Sequence, residues 1–396
     1  MFPKLRFKEF DGDLTESKLV ELTSWASGGT PAKDVPEYWG DDIPLISGAS
    51  MHTNQLYESD VKITKLGLQK GSKLAPKDSI LILVRGSMLF NKIPMGITLG
   101  DVAFNQDVKC IRPKQQLAPL FLFQWLHAKE NTIQNKVTAT GIGAGKLDTA
   151  DLQNLKLYKP SLEEQTKIAT FLSAVDEKIS QLTQKHALLS QYKQGMMQKL
   201  FSQQLRFKAD DGSEFREWEE KELKDIAEIN PKSKKLPESF IYIDLESVEK
   251  GQLLLQKNIE LQDAPSRAQR LLAKGDVLFQ MVRPYQQNNY YFNLSGEYVA
   301  STGYAQIRTK LDSKFIYYAL HEKTFLDEVM NRCTGTSYPA INSSDLSSIE
   351  ILIPCLEEQT KIANFLSAID QKIEVVAQQI EQAKTWKKGL LQQMFI

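Results

Sequence analysis

The sequence predicts an α/β (α+β) chain of two pseudo-symmetric globular domains joined through a long antiparallel two-helix coiled coil. Three observations predict it: an eight-residue segment occurs twice, a heptad pattern follows each copy, and short β-type runs alternate with amphipathic stretches ahead of each copy.

The repeat comes first, because self-similarity decides architecture. Leu162-Glu163-Glu164-Gln165-Thr166-Lys167-Ile168-Ala169 recurs letter for letter at 356–363, an offset of 194 (356 − 162). The register extends to Phe171-Leu172-Ser173-Ala174 and 365–368, Gly195 and Gly389, Pro160 and Pro354, Leu126-His127 and Leu320-His321, and Asp151-Leu152 and Asp345-Leu346. Ile111-Arg112 returns as Ile307-Arg308 at an offset of 196, and Leu5-Arg6-Phe7-Lys8 as 205–208 at an offset of 200. The drift places length differences inside the globular parts. Residues 40–75 show no counterpart in the second half. Two long copies exclude a solenoid. The divisions are 1–160, a first globular domain; 161–204, a first helical region; 205–354, a second globular domain; and 355–396, a second helical region.

Each globular part reads as α/β. Ser79-Ile80-Leu81-Ile82-Leu83-Val84 and the run 276–282 are apolar strands. Gly100-Asp101-Val102-Ala103-Phe104 and the run 296–300 open two more. Segments 118–135 and 313–330 have the spacing of amphipathic helices. Lys156-Leu157-Tyr158-Lys159 and Glu350-Ile351-Leu352-Ile353 close each domain as strands, and Pro160 or Pro354 then ends the strand and launches a helix.

The tails carry a seam. Ile168, Leu172, Val175, Ile179, Leu182, His186, Leu189, Lys193, Met196 and Leu200 follow alternating steps of four and three. Ile362, Leu366, Ile369, Ile373, Val376, Ile380, Ala383, Lys387, Leu390 and Met394 do the same. This is an a/d coiled-coil pattern, over helices of ~60 Å at about 1.5 Å per residue. One such stripe cannot stay exposed, and the other copy is its natural partner. Antiparallel pairing is expected, with a domain near each end, because parallel pairing makes the connecting chain retrace the rod. His186 reads as a partly exposed or satisfied seam histidine, and Lys193 and Lys387 as either snorkelling or setting register or contacting a partner.

Composition narrows the class. The chain has 396 residues, 42% hydrophobic and 25% charged, with 49 basic and 49 acidic side chains. Zero net charge argues against nonspecific coating of nucleic acid but leaves room for a locally basic reader. No apolar run reaches a membrane span, and the N-terminus lacks a secretory signal. Cys110, Cys333 and Cys355 form neither a disulfide framework nor a metal motif. A cytoplasmic protein is expected.

Enzyme signatures are missing. The chain has no Pro-Pro pair for an amino-methyltransferase motif and no Pro-Asp pair for a nuclease carboxylate cluster. Gly141-Ile142-Gly143-Ala144-Gly145-Lys146 fails phosphate-loop spacing, with Thr140 at its start and Leu147 where Ser or Thr is required. It reads as a turn before a capped segment. Four scattered histidines suggest no metal cluster.

Ser27-Gly28-Gly29-Thr30-Pro31 with Glu37-Tyr38-Trp39-Gly40, Gly100-Asp101 through Asn105-Gln106, and Pro-x-Leu-Glu-Glu-Gln opening both tails form one set. With these residues the whole chain resembles the specificity subunits of type I restriction-modification systems. The second half departs from the pattern, with Asn230-Pro231-Lys232-Ser233 where Gly-Gly-Thr-Pro is expected. The resemblance implies two target-recognition domains, each reading one half of a split double-stranded DNA target, and helices that space them and dock partners. It implies two modification (methyltransferase) subunits and further restriction (translocase/nuclease) subunits. S-adenosylmethionine, ATP and Mg are then expected in the partners, with no catalysis, cofactor or metal in this chain.

Base readout uses Arg for guanine and Asn or Gln for adenine, while Lys, Ser and Thr hold phosphate. The DNA-binding candidates in the first domain are Gly28, Gly29, Thr30, Arg85, Ser87, Lys92 and Lys146. In the second they are Arg283, Tyr285, Gln286, Gln287, Asn288, Thr336, Ser337 and Tyr338, with Arg283 matched to Arg85 at an offset of 198 (283 − 85). A solvated hairpin is the alternative for the 283–291 run. Arg267 and Arg270 are phosphate candidates that surface solvation explains equally well. A second class of function, a two-domain scaffold for protein or RNA, is separated from DNA reading by binding to a library of methylated sites.

Overall fold

In the computed structural model, residues 3–141, 143–232 and 235–395 are described; Ile142 of the glycine run and Ser233 of the departing loop lie outside them. We label the two long helices α1 (Leu162–Phe201) and α2 (Leu356–Met394). The chain forms two units, residues 1–183 with 377–396 and residues 184–376. Each unit therefore holds one globular domain, the start of one long helix and the end of the other.

The two domains share one strand plan. In the first, Thr23–Ser27, Val108–Pro113, Ile80–Leu83 and Met95–Thr98 lie side by side, all antiparallel. In the second, Ala227–Ile229, Tyr304–Thr309, Val277–Gln280 and Tyr290–Tyr291 do the same. Another four-stranded sheet in each domain contains one parallel pair, Trp39–Ile46 with Val102–Phe104 and Ser239–Ile243 with Tyr298–Ser301. This corrects the reading of residues 40–75. Their strands Trp39–Ile46, Lys62–Ile63 and Lys73–Ala75 occupy the places of Ser239–Ile243, Lys257–Glu260 and Ala268–Leu271. Ladders use backbone groups that every residue carries, so the frame survives when the letters change. The first domain adds Gln55–Leu56, parallel to Met95–Thr98, at the sheet edge.

The amphipathic segments also need correction. Each is two helices, Pro119–Ala128 with Glu130–Gln134 and Ser313–Ala319 with Lys323–Arg332. The second break has a visible cause: the Glu322 side chain caps a new helix by accepting from Thr324 and Phe325 N–H.

The repeated octet is a set of clamps. Glu164 accepts from Arg6 Nε at 2.7 Å and Nη2 at 2.8 Å. Glu358 accepts from Arg206 Nε at 3.1 Å and Nη2 at 2.9 Å, and from Trp218 Nε1 at 3.1 Å. Buried Gln165 donates to Pro160 O and accepts from Ala118 N–H, the cap of a domain helix. Gln359 repeats this with Pro354 O and Asp312 N–H. Lys167 and Lys361 pair with Glu9 and Asp210. Each octet thus ties strand end, helix start and N-terminal arm into one joint.

The predicted seam forms: all ten slots of each tail are buried or half-buried. In the first unit Ile168, Leu172 and Val175 share a core with Leu390 and Met394; in the second Leu200 packs with Ile362, Leu366 and Ile369. The start of one helix meets the end of the other in both units, so the pairing is antiparallel. Lys193 resolves as an ion pair with Asp370 at 2.5 Å, and Lys387 as one with Asp176 at 2.5 Å. Tyr318 Oη also donates to Asp370, and Gln124 Nε2 to Asp176.

Candidate nucleic-acid interface

In the first domain the glycine run is a hairpin. Thr138–Ala139 pairs with Gly145–Lys146, and Gly145–Lys146 pairs with Arg85–Gly86. The turn is closed by Thr140 N–H and Oγ1 donating to Ala144 O at 2.8 and 2.9 Å, and Asp148 caps the helix that follows. Lys146 and Arg85 are direct cross-strand partners, both exposed, and neither joins an ion pair among the described residues. Like charges set opposite each other destabilise a ladder, and an anion relieves that repulsion. Ser87 and Lys92 are exposed as well.

Gly28 and Gly29 stand where two backbones pass closely. A Cβ on Gly28 would lie 2.1 Å from Phe104 O, and one on Gly29 would lie 2.5 Å from Gly71 O. Close backbone packing accounts for both glycines. Thr30 Oγ1 donates to Gln106 Oε1 at 2.8 Å, at the edge of an open cleft of about 570 Å³ that also holds Lys33, Trp39 and Asn105.

In the second domain a hairpin again sits beside the strand end. Thr334 and Ala340 exchange two backbone bonds, and Thr336, Ser337 and Tyr338 stand exposed at its tip. Ile341 N–H donates to Met281 O just as Leu147 N–H donates to Val84 O. This corrects the matching of arginines: Arg85 corresponds to Val282, and Arg283 to Gly86. The hydrogen-bonded equivalence runs at an offset of 197 (281 − 84), one less than the 198 that a match of the two arginines requires.

The polar run 283–291 divides by direction. Arg283 lies over the Tyr338 ring, its Cζ 4.2 Å from the centroid, and Tyr285 is exposed. Gln286 is exposed, with Oε1 accepting from Gln280 Nε2 at 2.9 Å. Asn288 Oδ1 accepts from Lys250 N–H, and its own N–H donates to Gln280 Oε1. Gln287 lines a cavity of about 590 Å³ with Lys193, Tyr317, Tyr318 and His321, away from the arginine. Asn288 is thus tied into the loop, and Gln287 lines this cavity. Asn289, only 1% exposed, accepts from Gln280 N–H and faces His321. This Gln280–Asn289–His321 network was not foreseen, and its signal in the sequence is a polar side chain, Gln280, inside an apolar strand. Burial pushes the His321 imidazole down to about 4, and burial likewise lowers the guanidinium of Arg270. Arg270 is half-buried within Ala268–Leu271, whereas Arg267 is exposed.

Each domain thus presents a cation beside a hairpin on the same sheet plan. The sequence matches the family described as type I restriction modification DNA specificity domain twice, over residues 12–191 and 216–385. The chain belongs to that family, and its role is DNA recognition within a type I restriction-modification system. It is 26% identical over 409 residues to the type I restriction enzyme MjaVIII specificity subunit of Methanocaldococcus jannaschii, covering 97% of this chain and 94% of that one. It is 29% identical over 182 residues to the EcoR124I/EcoR124II specificity subunit of Escherichia coli, covering 46% and 45%. The fold is similar to the crystal structure of the type I restriction-modification S subunit from M. genitalium, with a TM-score of 0.63, 16% identity and coverage of 100% and 99%.

Proposed function

We propose that the chain reads a bipartite, asymmetric DNA target, one half-site per domain, and itself performs no chemistry. The observation that carries this is a shared strand plan bearing two different surfaces. The first domain presents Arg85 and Lys146 side by side, and the second presents Arg283 stacked on Tyr338. Equal frames with unequal contacts suit two unequal half-sites. In this reading 1–160 and 205–354 are the recognition domains, and 161–204 and 355–396 space them and dock two modification subunits. Restriction subunits join that assembly. S-adenosylmethionine, ATP and Mg act in those partners, in the cytoplasm. Among the described residues no helix is long and apolar enough to cross a membrane.

The test is long-read methylation sequencing of cells that express this chain with a type I modification subunit. A two-part motif with a fixed spacer is expected, and it should vanish without this chain. Methylation that persists without the chain, or that marks one uninterrupted motif, would refute the proposal.

A further inference from the structure

Arg283 is held in an unusual way. Its backbone is left-handed, at φ 53° and ψ 54°, where a side chain with a Cβ is strained. At the equivalent place the first domain has Gly86, at φ 147°, which takes positive φ without that penalty. An arginine where glycine fits better implies a use for the side chain. Its N–H donates to Pro339 O at 2.7 Å, which fixes it to the hairpin that carries Tyr338. Its guanidinium then lies on the Tyr338 ring, and that ring is 64% exposed. Below it Gln280 braces the loop through Val282 O, Gln286 Oε1 and Asn288 N–H.

Stacking fixes the plane of a guanidinium and leaves its donor edge open. Arg283 joins no carboxylate among the described residues, whereas Arg308 of the same domain is clamped on Asp276 at 2.8 and 2.7 Å. An open fork of donors in a set plane matches the N7 and O6 acceptors of guanine in the major groove. A phosphate can take the same fork, so the sequence dependence of the contact, not its plane, separates the two.

We propose that Arg283 reads a guanine in the half-site of the second domain and that Tyr338 is its positioning residue. This rests on the DNA-reading function proposed above. The full-length chain is expressed with its modification subunit, and the methylated motif is read by long-read sequencing. Arg283→Gly suits the left-handed backbone, so its melting temperature should equal or exceed the parent's. It should nevertheless relax one G·C position in one half-site, with discrimination there falling roughly five- to a hundredfold. Tyr338→Ala should lose roughly tenfold at the same position, and Tyr338→Phe should keep it, since the ring face and not the hydroxyl does the positioning. An unchanged motif in Arg283→Gly, or a uniform weakening across all sequences with a shallower salt dependence, would overturn the assignment while leaving the bipartite function intact. A parent that marks no two-part motif would overturn that function and this assignment together.

Discussion

Glu358 shows how much one residue of the octet carries. Its carboxylate is fully buried, and it accepts from both Arg206 and Trp218. Removing it strands a guanidinium and an indole N–H together. Glu358→Ala should therefore cost about 3–5 kcal/mol, read from urea denaturation, and Glu358→Gln less, because an amide oxygen still accepts. A change below about 1 kcal/mol for the alanine variant would contradict the clamp. His321 makes a pH-dependent case. Its Nδ1 lies 2.7 Å from Tyr317 O, and its Nε2 faces the Asn289 amide, an arrangement that suits the neutral ring. Burial, with Lys193 nearby, outweighs the opposite pull of the Tyr317 and Gln287 backbone and of Asp370, leaving its pKa at about 4. The unfolded value is about 6.5. Between these values the unfolded chain binds a proton that the folded chain does not, so stability falls as pH drops from about 6.5 to 4. The half-buried ring retains some solvent, which limits the loss to about 2 kcal/mol. His321→Gln should lack this component, so the stability difference between pH 7 and 4.5 should shrink relative to the parent. An equal difference in both proteins would contradict the neutral, enclosed ring.

At the scale of elements the seam is the most exposed to test. Leu172 and Leu366 are both fully buried in it. Leu172→Asp would bury an unpaired carboxylate and should cost about 3–5 kcal/mol; near-parent stability by denaturation would contradict the packing. The polar slots set register: each lysine meets an aspartate that a side chain of the adjoining domain also binds. Lys193→Met should leave Asp370 short of a partner, and the combined Lys193→Met with Asp370→Leu should recover much of that loss. These helices were legible from the sequence because an a/d repeat over some ten turns has no other explanation, and the octet announced their starts. The strand centres at Ile80–Leu83 and Val277–Gln280 were legible from their apolar runs. Other features were hidden for physical reasons. Residues 40–75 form the shared strands through backbone bonds that leave no letter pattern. The apolar stretches around Lys129 and Leu320–Glu322 keep helical spacing across a break. Among the candidate site residues, Arg283, Tyr338, Arg85 and Lys146 are legible as letters, but their pairing depends on the hairpin register. Gln287 and Asn288 look like base readers in sequence, yet Asn288 is bound to buried Gln280 and to Lys250 N–H, and Gln287 lines the cavity beside His321.

For the whole molecule the argument concerns interchangeable parts. In the first unit the core of the domain and of the start of α1 is completed by Leu390, Met394 and Phe395 from α2. At the offset of 194 these correspond to Met196, Leu200 and Phe201 of α1. The same equivalence holds for the polar contacts. Leu5 N–H donates to Gln393 O at 3.0 Å, as Leu205 N–H donates to Lys199 O at 3.1 Å, and Lys387 meets Asp176 as Lys193 meets Asp370. A fragment ending near Ser202 lacks α2 but carries a second use for its own α1. In a second copy Met196, Leu200, Phe201, Lys193 and Lys199 can fill the places of the missing residues. The fragment should therefore form a homodimer, antiparallel along the seam, with two copies of the first domain. An isologous dimer has true two-fold symmetry and reads a palindrome, so its methylated motif should be the first half-site repeated in inverted orientation. The dimer should be weaker than the intact chain, because His186 replaces Ile380 at an equivalent seam slot in both helices. Light scattering should give twice the fragment mass, and methylation sequencing of cells expressing the fragment with the modification subunit should show the palindrome. A soluble monomer, or a dimer that still marks the asymmetric parent motif, would show that the two tails are not equivalent.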